Sequence, residues 1–198
     1  MKAAMMMFRP CAPANTRLDC FVACLRGTSL LAALAVPGLV GAAPVSVCST
    51  PEGRVVLQLQ SGPTSSGNAQ AGSLQACDLS GLEKLPAREI STTLPPSLGM
   101  PGIHRWKGVS LRYLVEQMGG GEHSQIQLRA LNDYAIHIPW SDLVRYDPIV
   151  AYSRDQQRMG IRDKGPLILI YPFDSTPQLQ AQEYVNRTIW QINAISVR

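Results

Sequence analysis

The chain has 198 residues, 45% hydrophobic and 16% charged, enough for one domain with a full core and short of two comfortable ones. Its formal charge of +4 gathers at the front, where residues 1–42 carry Lys2, Arg9, Arg17 and Arg26 against Asp19 alone. The remainder is close to neutral and has no basic stripe, which argues against nucleic acid as a partner.

The first 42 residues read as a signal peptide. Arg17 and Arg26 supply a positive region, residues 28–41 an apolar run broken by Pro37, and Val40-Gly41-Ala42 the small residues of a cleavage site after Ala42. An uncleaved anchor is the other reading, but the run is shorter than the roughly 20 residues a spanning helix needs. A lipoprotein site at Cys24 is weaker, because the apolar run follows the cysteine. Met1 and Met5 to Met7 leave the start methionine open. The expectation is one domain over 43–198, periplasmic or secreted, with no stable membrane span after cleavage. Cys48 and Cys77 then remain, and in an oxidising compartment an isolated pair bonds. The alternative is two unpaired thiols.

In chain order, residues 54–60 read as a strand, with Leu57 and Leu59 alternating against glutamines. Residues 61–73, rich in Ser, Gly, Pro and Asn, read as a loop. Asp78 can cap a short helix through Leu85, stopped by Pro86, and residues 87–94 form a second strand. Residues 95–107 are expected to be irregular because Pro95-Pro96, Gly99 and Pro101-Gly102 fall in quick succession. Ser110 caps an amphipathic helix whose Leu111, Leu114, Val115 and Met118 share one face. Gly119 to Gly121 end it; a phosphate cradle would need such glycines before a helix.

Two alternating strands, 125–130 and 134–138, follow around an Asn132-Asp133 turn, and Pro139 ends their pairing. Ser141 is the expected cap of a helical turn through Arg145. Residues 148–152 read as a strand, 154–164 as a polar excursion, 167–171 as a central strand and 174–183 as a polar loop. Residues 188–197 close the chain, with Trp190, Ile192 and Val197 expected to point inward. The sum is a strand-rich α+β fold with short helices.

Familiar catalytic patterns are missing: there is no Gly-x-Ser-x-Gly elbow, no His-Glu-x-x-His and no Cys-x-x-Cys. His104, His123 and His137 lack metal-ligand spacing. His137, between isoleucines, is expected on the solvent side of a sheet. His104, beside Arg105 and Trp106, is better placed for a site.

The spacing of several segments resembles the sulfite-oxidase-type molybdopterin oxidoreductase domain. Trp106-Lys107-Gly108-Val109-Ser110-Leu111-Arg112-Tyr113-Leu114 is similar to that family's tryptophan, turn and helix segment, and Ala130-Leu131-Asn132-Asp133-Tyr134 to its hairpin. Ile138-Pro139, Ile149-Val150-Ala151-Tyr152, Lys164-Gly165-Pro166-Leu167 and Trp190-Gln191-Ile192 follow in the family's order. The resemblance covers about residues 55–197. It implies a mixed, largely β domain with a molybdenum-pterin cofactor.

The departures matter as much. The family's molybdenum-binding cysteine falls in the loop after the strand ending near Thr93, and residues 91–106 here contain none. Proline or leucine cannot replace a soft thiolate. Where the family places basic residues for the pterin phosphate, residues 171–177 offer Asp174, which would repel it. The leader lacks the Arg-Arg pair that such enzymes resemble one another in carrying.

Two functions follow as expectations. The first is a non-catalytic binding module without the metal centre and with no cofactor expected. It would use His104, Arg105, Trp106, Asn132 and Tyr134 for a small ligand or a partner such as a membrane sensor's outer domain. The second is an active molybdopterin-dependent oxidoreductase that binds its cofactor without a cysteine ligand, with Arg162 and Lys164 reaching the pterin phosphate. A structural or assembly protein with a filled pocket is a third.

Overall fold

A computed structural model describes residues 46–62 and 72–198. The signal-peptide reading of 1–42, Cys24 included, and most of the expected 61–73 loop lie outside the described residues. The fold is α+β: among the described residues one mixed and one antiparallel sheet dominate over four short helices. No helix among the described residues is long and apolar enough to cross a membrane.

Strand β1 (Val55–Ser61) buries Leu57 and Leu59 on one face, as alternation requires. It pairs antiparallel with β2 (Leu74–Asp78), which runs directly into helix α1 (Leu79–Glu83). Asp78 is the junction. Its carboxylate accepts from the backbone N–H groups of Gly81 at 2.7 Å, Gly53 at 2.8 Å and Glu52 at 3.0 Å, and from Ser80 Oγ at 2.9 Å. One side chain therefore caps α1 and fastens the segment that enters β1. Beside it Cys48 and Cys77 form a buried disulfide with Cα atoms 5.6 Å apart.

Strands β3 (Ala87–Thr93) and β4 (Ile103–Ser110) pair over seven residues, from Ala87 opposite Val109 to Thr93 opposite Ile103. The expected irregular stretch is thus only partly so. A 3-10 turn, Pro96–Leu98, and the glycines up to Gly102 end it, and β4 takes over at Ile103. Inside β4, Trp106 and Val109 are buried and Arg105 and Lys107 exposed. Gly108 lies where β4 shifts register against the strand 149–154; a Cβ there would stand 2.2 Å from Val150 O, so only glycine fits. Ser110 caps helix α2 (Leu111–Gln117) by accepting from Tyr113 N, and the expected apolar face is buried.

Strands β5 (Ile126–Ala130) and β6 (Ala135–Ile138) form the hairpin, with Asn132 Oδ1 accepting from Tyr134 N at 3.2 Å and Asp133 left-handed at φ 63°. Helix α3 (Trp140–Arg145) begins directly after Pro139, whose φ of −69° already suits a helix start, so Ser141 lies within the first turn and is not the cap. Strands β7 (Ile149–Arg154), β8 (Gln157–Arg158) and β9 (Ile168–Ile170) join β3 and β4 in the second sheet; β9 is buried and pairs with β7. The expected polar loop 174–183 instead holds a 3-10 turn, Pro177–Gln180, and the start of helix α4 (Gln182–Arg187). Strand β10 (Ile192–Val197) then inserts between β1 and β5, parallel to β1, with Ile192 and Val197 buried. Trp190 is not inward; it is 38% exposed.

A buried carboxylate links three of these pieces. Asp142 on α3 accepts from Tyr171 Oη at 2.9 Å, just past β9, and from Arg187 at 2.8 Å, at the end of α4. Tyr171, Tyr146 and Tyr184 pack edge to face around it. Removing a partner from such a pair leaves an uncompensated charge. Asp142→Ala, which removes the Tyr171 hydroxyl's acceptor and leaves Arg187 only its longer contact with the exposed Glu183 at 3.5 Å, should lower stability by roughly 3–5 kcal/mol in urea unfolding. A change no larger than that of an exposed substitution would contradict this.

Asp78 gives a second prediction. Its N–H donors, Gly81 foremost and then Gly53, bring its carboxyl down from 3.8 to about 2. A depressed carboxylate contributes stability that is present above its ordinary value and is lost as pH falls through the folded value. The wild type should therefore lose stability between about pH 4 and pH 2, and Asp78→Asn should lack that part of the profile in chemical denaturation across the range.

Candidate functional site

The 3-10 turn Pro96–Leu98, the β5–β6 hairpin and α4 with the residues after it enclose a cavity of about 440 Å³. The turn contributes Leu98, held by Lys164 Nζ, which donates to the Leu98 carbonyl. The hairpin contributes Asn132 and Tyr134; helix α4 contributes Gln182, Val185 and Asn186; Trp190 closes the wall. Tyr134 and Trp190 are both exposed. The Lys164 ammonium lies 4.5 Å from the Trp190 ring centroid, a cation–π contact that props the indole.

The polar side chains of this cavity are the carboxamides of Asn132, Gln182 and Asn186, the hydroxyls of Ser97, Tyr134 and Thr188 and the Trp190 indole, with no carboxylate among its lining residues. Gln182 Nε2 donates to Asn186 Oδ1 at 2.8 Å, and Asn132 Oδ1 serves the turn. That leaves Asn132 Nδ2 and Asn186 Nδ2 to donate and Gln182 Oε1 to accept, next to two aromatic surfaces. Thr188 Oγ1 is already committed to Tyr184 O at 3.0 Å.

Of the residues expected at a site, Asn132 and Tyr134 line this cavity. The others do not join them. Trp106 is fully buried in the core, its indole N–H without a hydrogen-bond partner, so it packs the second sheet and lines nothing. His104 and Arg105 are carried away by β4. His104 Nδ1 lies 2.7 Å from Asp155 Oδ2 and Nε2 3.1 Å from Pro101 O, and Arg105 N donates to Asp155 Oδ1 at 2.9 Å. The Arg105 amide, foremost, and then the His104 ring hold the Asp155 carboxyl below its ordinary range. This is a brace between β4 and the β7–β8 turn. Arg162 is exposed on the 3-10 turn Ile161–Asp163 and is not part of the cavity wall. Lys164 touches Leu98 and Trp190 without lining the space itself. His137 is exposed, on the solvent side as expected.

Trp190, Gln182 and Asn186 were not legible as site residues. The tryptophan alternates with Ile192, which suggests an inward strand residue. Gln191 between them is left-handed at φ 56°, which breaks the alternation and turns the indole outward.

The residues do not fit a thiolate-held molybdenum centre. Cys48 and Cys77, the cysteines of the described residues, are bonded to each other. Among the described residues no group of three His, Cys, Asp or Glu gathers as a metal site would. Asp174, read as a group that would repel phosphate, accepts from Thr93 N at 2.6 Å and ties the end of β3 to the 172–176 turn.

No protein-family model matches the sequence. No curated protein matches it. Among solved structures, the chain is similar to one from the sulfane dehydrogenase SoxCD of Paracoccus pantotrophus, at a TM-score of 0.48 and 12% identity over 71% of this chain and 37% of that one. The chain thus spans well under half the length of that neighbour, and a likeness of this degree carries no argument about activity.

The corrected assignment is testable. Trp106→Ala, which empties a core position, should cost roughly 3–5 kcal/mol in urea unfolding. Trp190→Ala and Tyr134→Ala, at exposed positions, should change stability by less than about 1 kcal/mol. Equal losses for Trp106 and Trp190 would contradict the division between core and wall.

Proposed function

We propose that the protein is an exported, non-catalytic binding module that holds a compact, planar, uncharged molecule with a hydrogen-bonding edge. The observation that carries this reading is the cavity of about 440 Å³ with two exposed aromatic side chains, Tyr134 and Trp190, and free carboxamide groups around them. Cavities of this size suit small molecules. Stacking a flat ring on an aromatic side chain contributes about 1–3 kcal/mol and needs no charge. Asn132 and Asn186 donate to ring or carbonyl acceptors, and Gln182 accepts from a ring N–H, so the edge of a nitrogen heterocycle satisfies all three. A strongly ionic ligand would find no opposite charge in the wall, since Lys164 is engaged by Leu98 and Trp190. Export is supported by the leader-like residues 1–42 and by the disulfide.

A planar nitrogen heterocycle is also the organic half of the cofactor that the resembling family carries, which makes a metal-free pterin the first probe. Isothermal titration of the full chain with a pterin, a purine base and a neutral trisaccharide tests the class. Saturable binding of a heterocycle, weakened about tenfold or more by Trp190→Ala and by Asn132→Ala, is the expected result. Binding of the trisaccharide alone, or heterocycle binding indifferent to both substitutions, would overturn the assignment.

A further inference from the structure

A second cavity, of about 620 Å³, shares no wall residue with the first, although its Leu131 sits between Ala130 and Asn132 of the first cavity's wall. It is built by two neighbouring irregularities in the first sheet. Strand β1 shifts register between Val55 and Leu57, and β10 shifts between Ile192 and Ala194. Such bulges re-aim side chains. Here Val55 and Val56 both come to the cavity from β1, and Asn193 comes from β10.

The wall across from them is the segment from Arg158 to Ile161 with Pro166. It is pinned on two sides. Arg158 makes a bidentate pair with Glu83, at 2.9 and 2.7 Å. Gln191 Nε2 donates to Ile161 O at 2.9 Å. The space is therefore held open by bonded struts.

Its chemistry differs from that of the first cavity. Val55, Leu131 and Ile161 are exposed around it, and Val56, Leu79 and Pro166 line it half-buried. An apolar hollow with an apolar rim loses free energy to water until something covers it. Three charged groups share the wall. The Asp78 carboxylate is saturated by Gly81, Gly53, Glu52 and Ser80, and Arg158 is neutralised by Glu83. Arg54 has no ion pair among the described residues. One uncommitted cation at the mouth of an aliphatic hollow selects an anion with an apolar tail. An added peptide strand is a poorer fit, because β1 is already paired on both sides, with β2 and β10, and offers no free main-chain edge. Asn193 Oδ1 is buried beside the same space without a donor.

We infer that this cavity is a binding site for a free single-chain amphiphile with a carboxylate head, the tail against Val56, Leu79 and Ile161 and the head at Arg54. The site shares no wall residue with the first cavity and takes a ligand of different chemistry.

Titration calorimetry of the full chain with monomeric dodecanoate, and with dodecyltrimethylammonium as the cationic counterpart, tests it. One dodecanoate should bind per chain, in preference to the cation. Arg54→Glu should weaken dodecanoate by about tenfold or more and abolish the preference, and Ile161→Asp should weaken both amphiphiles. Circular dichroism checks that each variant, at an exposed position, stays folded. Four results would overturn the inference. Folded wild type fails to saturate with dodecanoate. Binding is indifferent to both substitutions. Phosphatidylglycerol vesicles bind while monomeric dodecanoate does not, which would make the patch a lipid-surface contact. Or Ile161→Asp dissolves a dimer that takes up no dodecanoate, which would make it a contact between two copies.

Discussion

The Asp142 carboxylate is the constraint on which the candidate site depends. A buried charge is tolerated only when paired and hydrogen-bonded, and Asp142 is met by the Tyr171 hydroxyl and the Arg187 guanidinium. Burial, and then the adjacent carboxylate, push the Tyr171 hydroxyl well above its ordinary range, so it stays a donor. Arg187 ends α4, the helix that brings Gln182 and Asn186 to the cavity. Helix α4 has six residues and no side-chain cap, too short to persist by itself. Its place is fixed by the ion pair at one end and by packing of Tyr184 and Val185 below. The cavity wall is thus held by tertiary interactions at a residue that lines nothing.

What could be read from the chain divides along the range of the forces involved. The hairpin around Asn132-Asp133, helix α2 behind Ser110 and the Asp78 cap are local, set by turn preferences, a 3.6-residue period and one capping carboxylate. All three are present. Strand β4 was hidden because prolines and glycines precede it, and its pairing with β3 is what declares it a strand. Helix α4 was hidden because it carries no cap signal. Trp106 and Trp190 were exchanged in role: the one read as a lining residue is core, and the one read as core is at the wall. The cause is backbone geometry, a long β4 in one case and the left-handed Gln191 in the other.

The two cavities ask for different chemistry. The first offers aromatic faces and amide edges, the second aliphatic walls and Arg54. Each is defined by positions where the regular pattern of the sheet is interrupted, a hairpin turn and Gln191 at one and paired bulges at the other. Interruptions of this kind carry a cost in pairing that a binding surface explains.

The claim that separates a binding module from an oxidoreductase is the content of the first cavity when the protein is made in its own cell. Native mass spectrometry with molybdenum analysis, on protein purified from that source, measures it directly. A binding module predicts a small organic adduct without molybdenum, absent from the Trp190→Ala protein. Molybdenum at one equivalent per chain would contradict it.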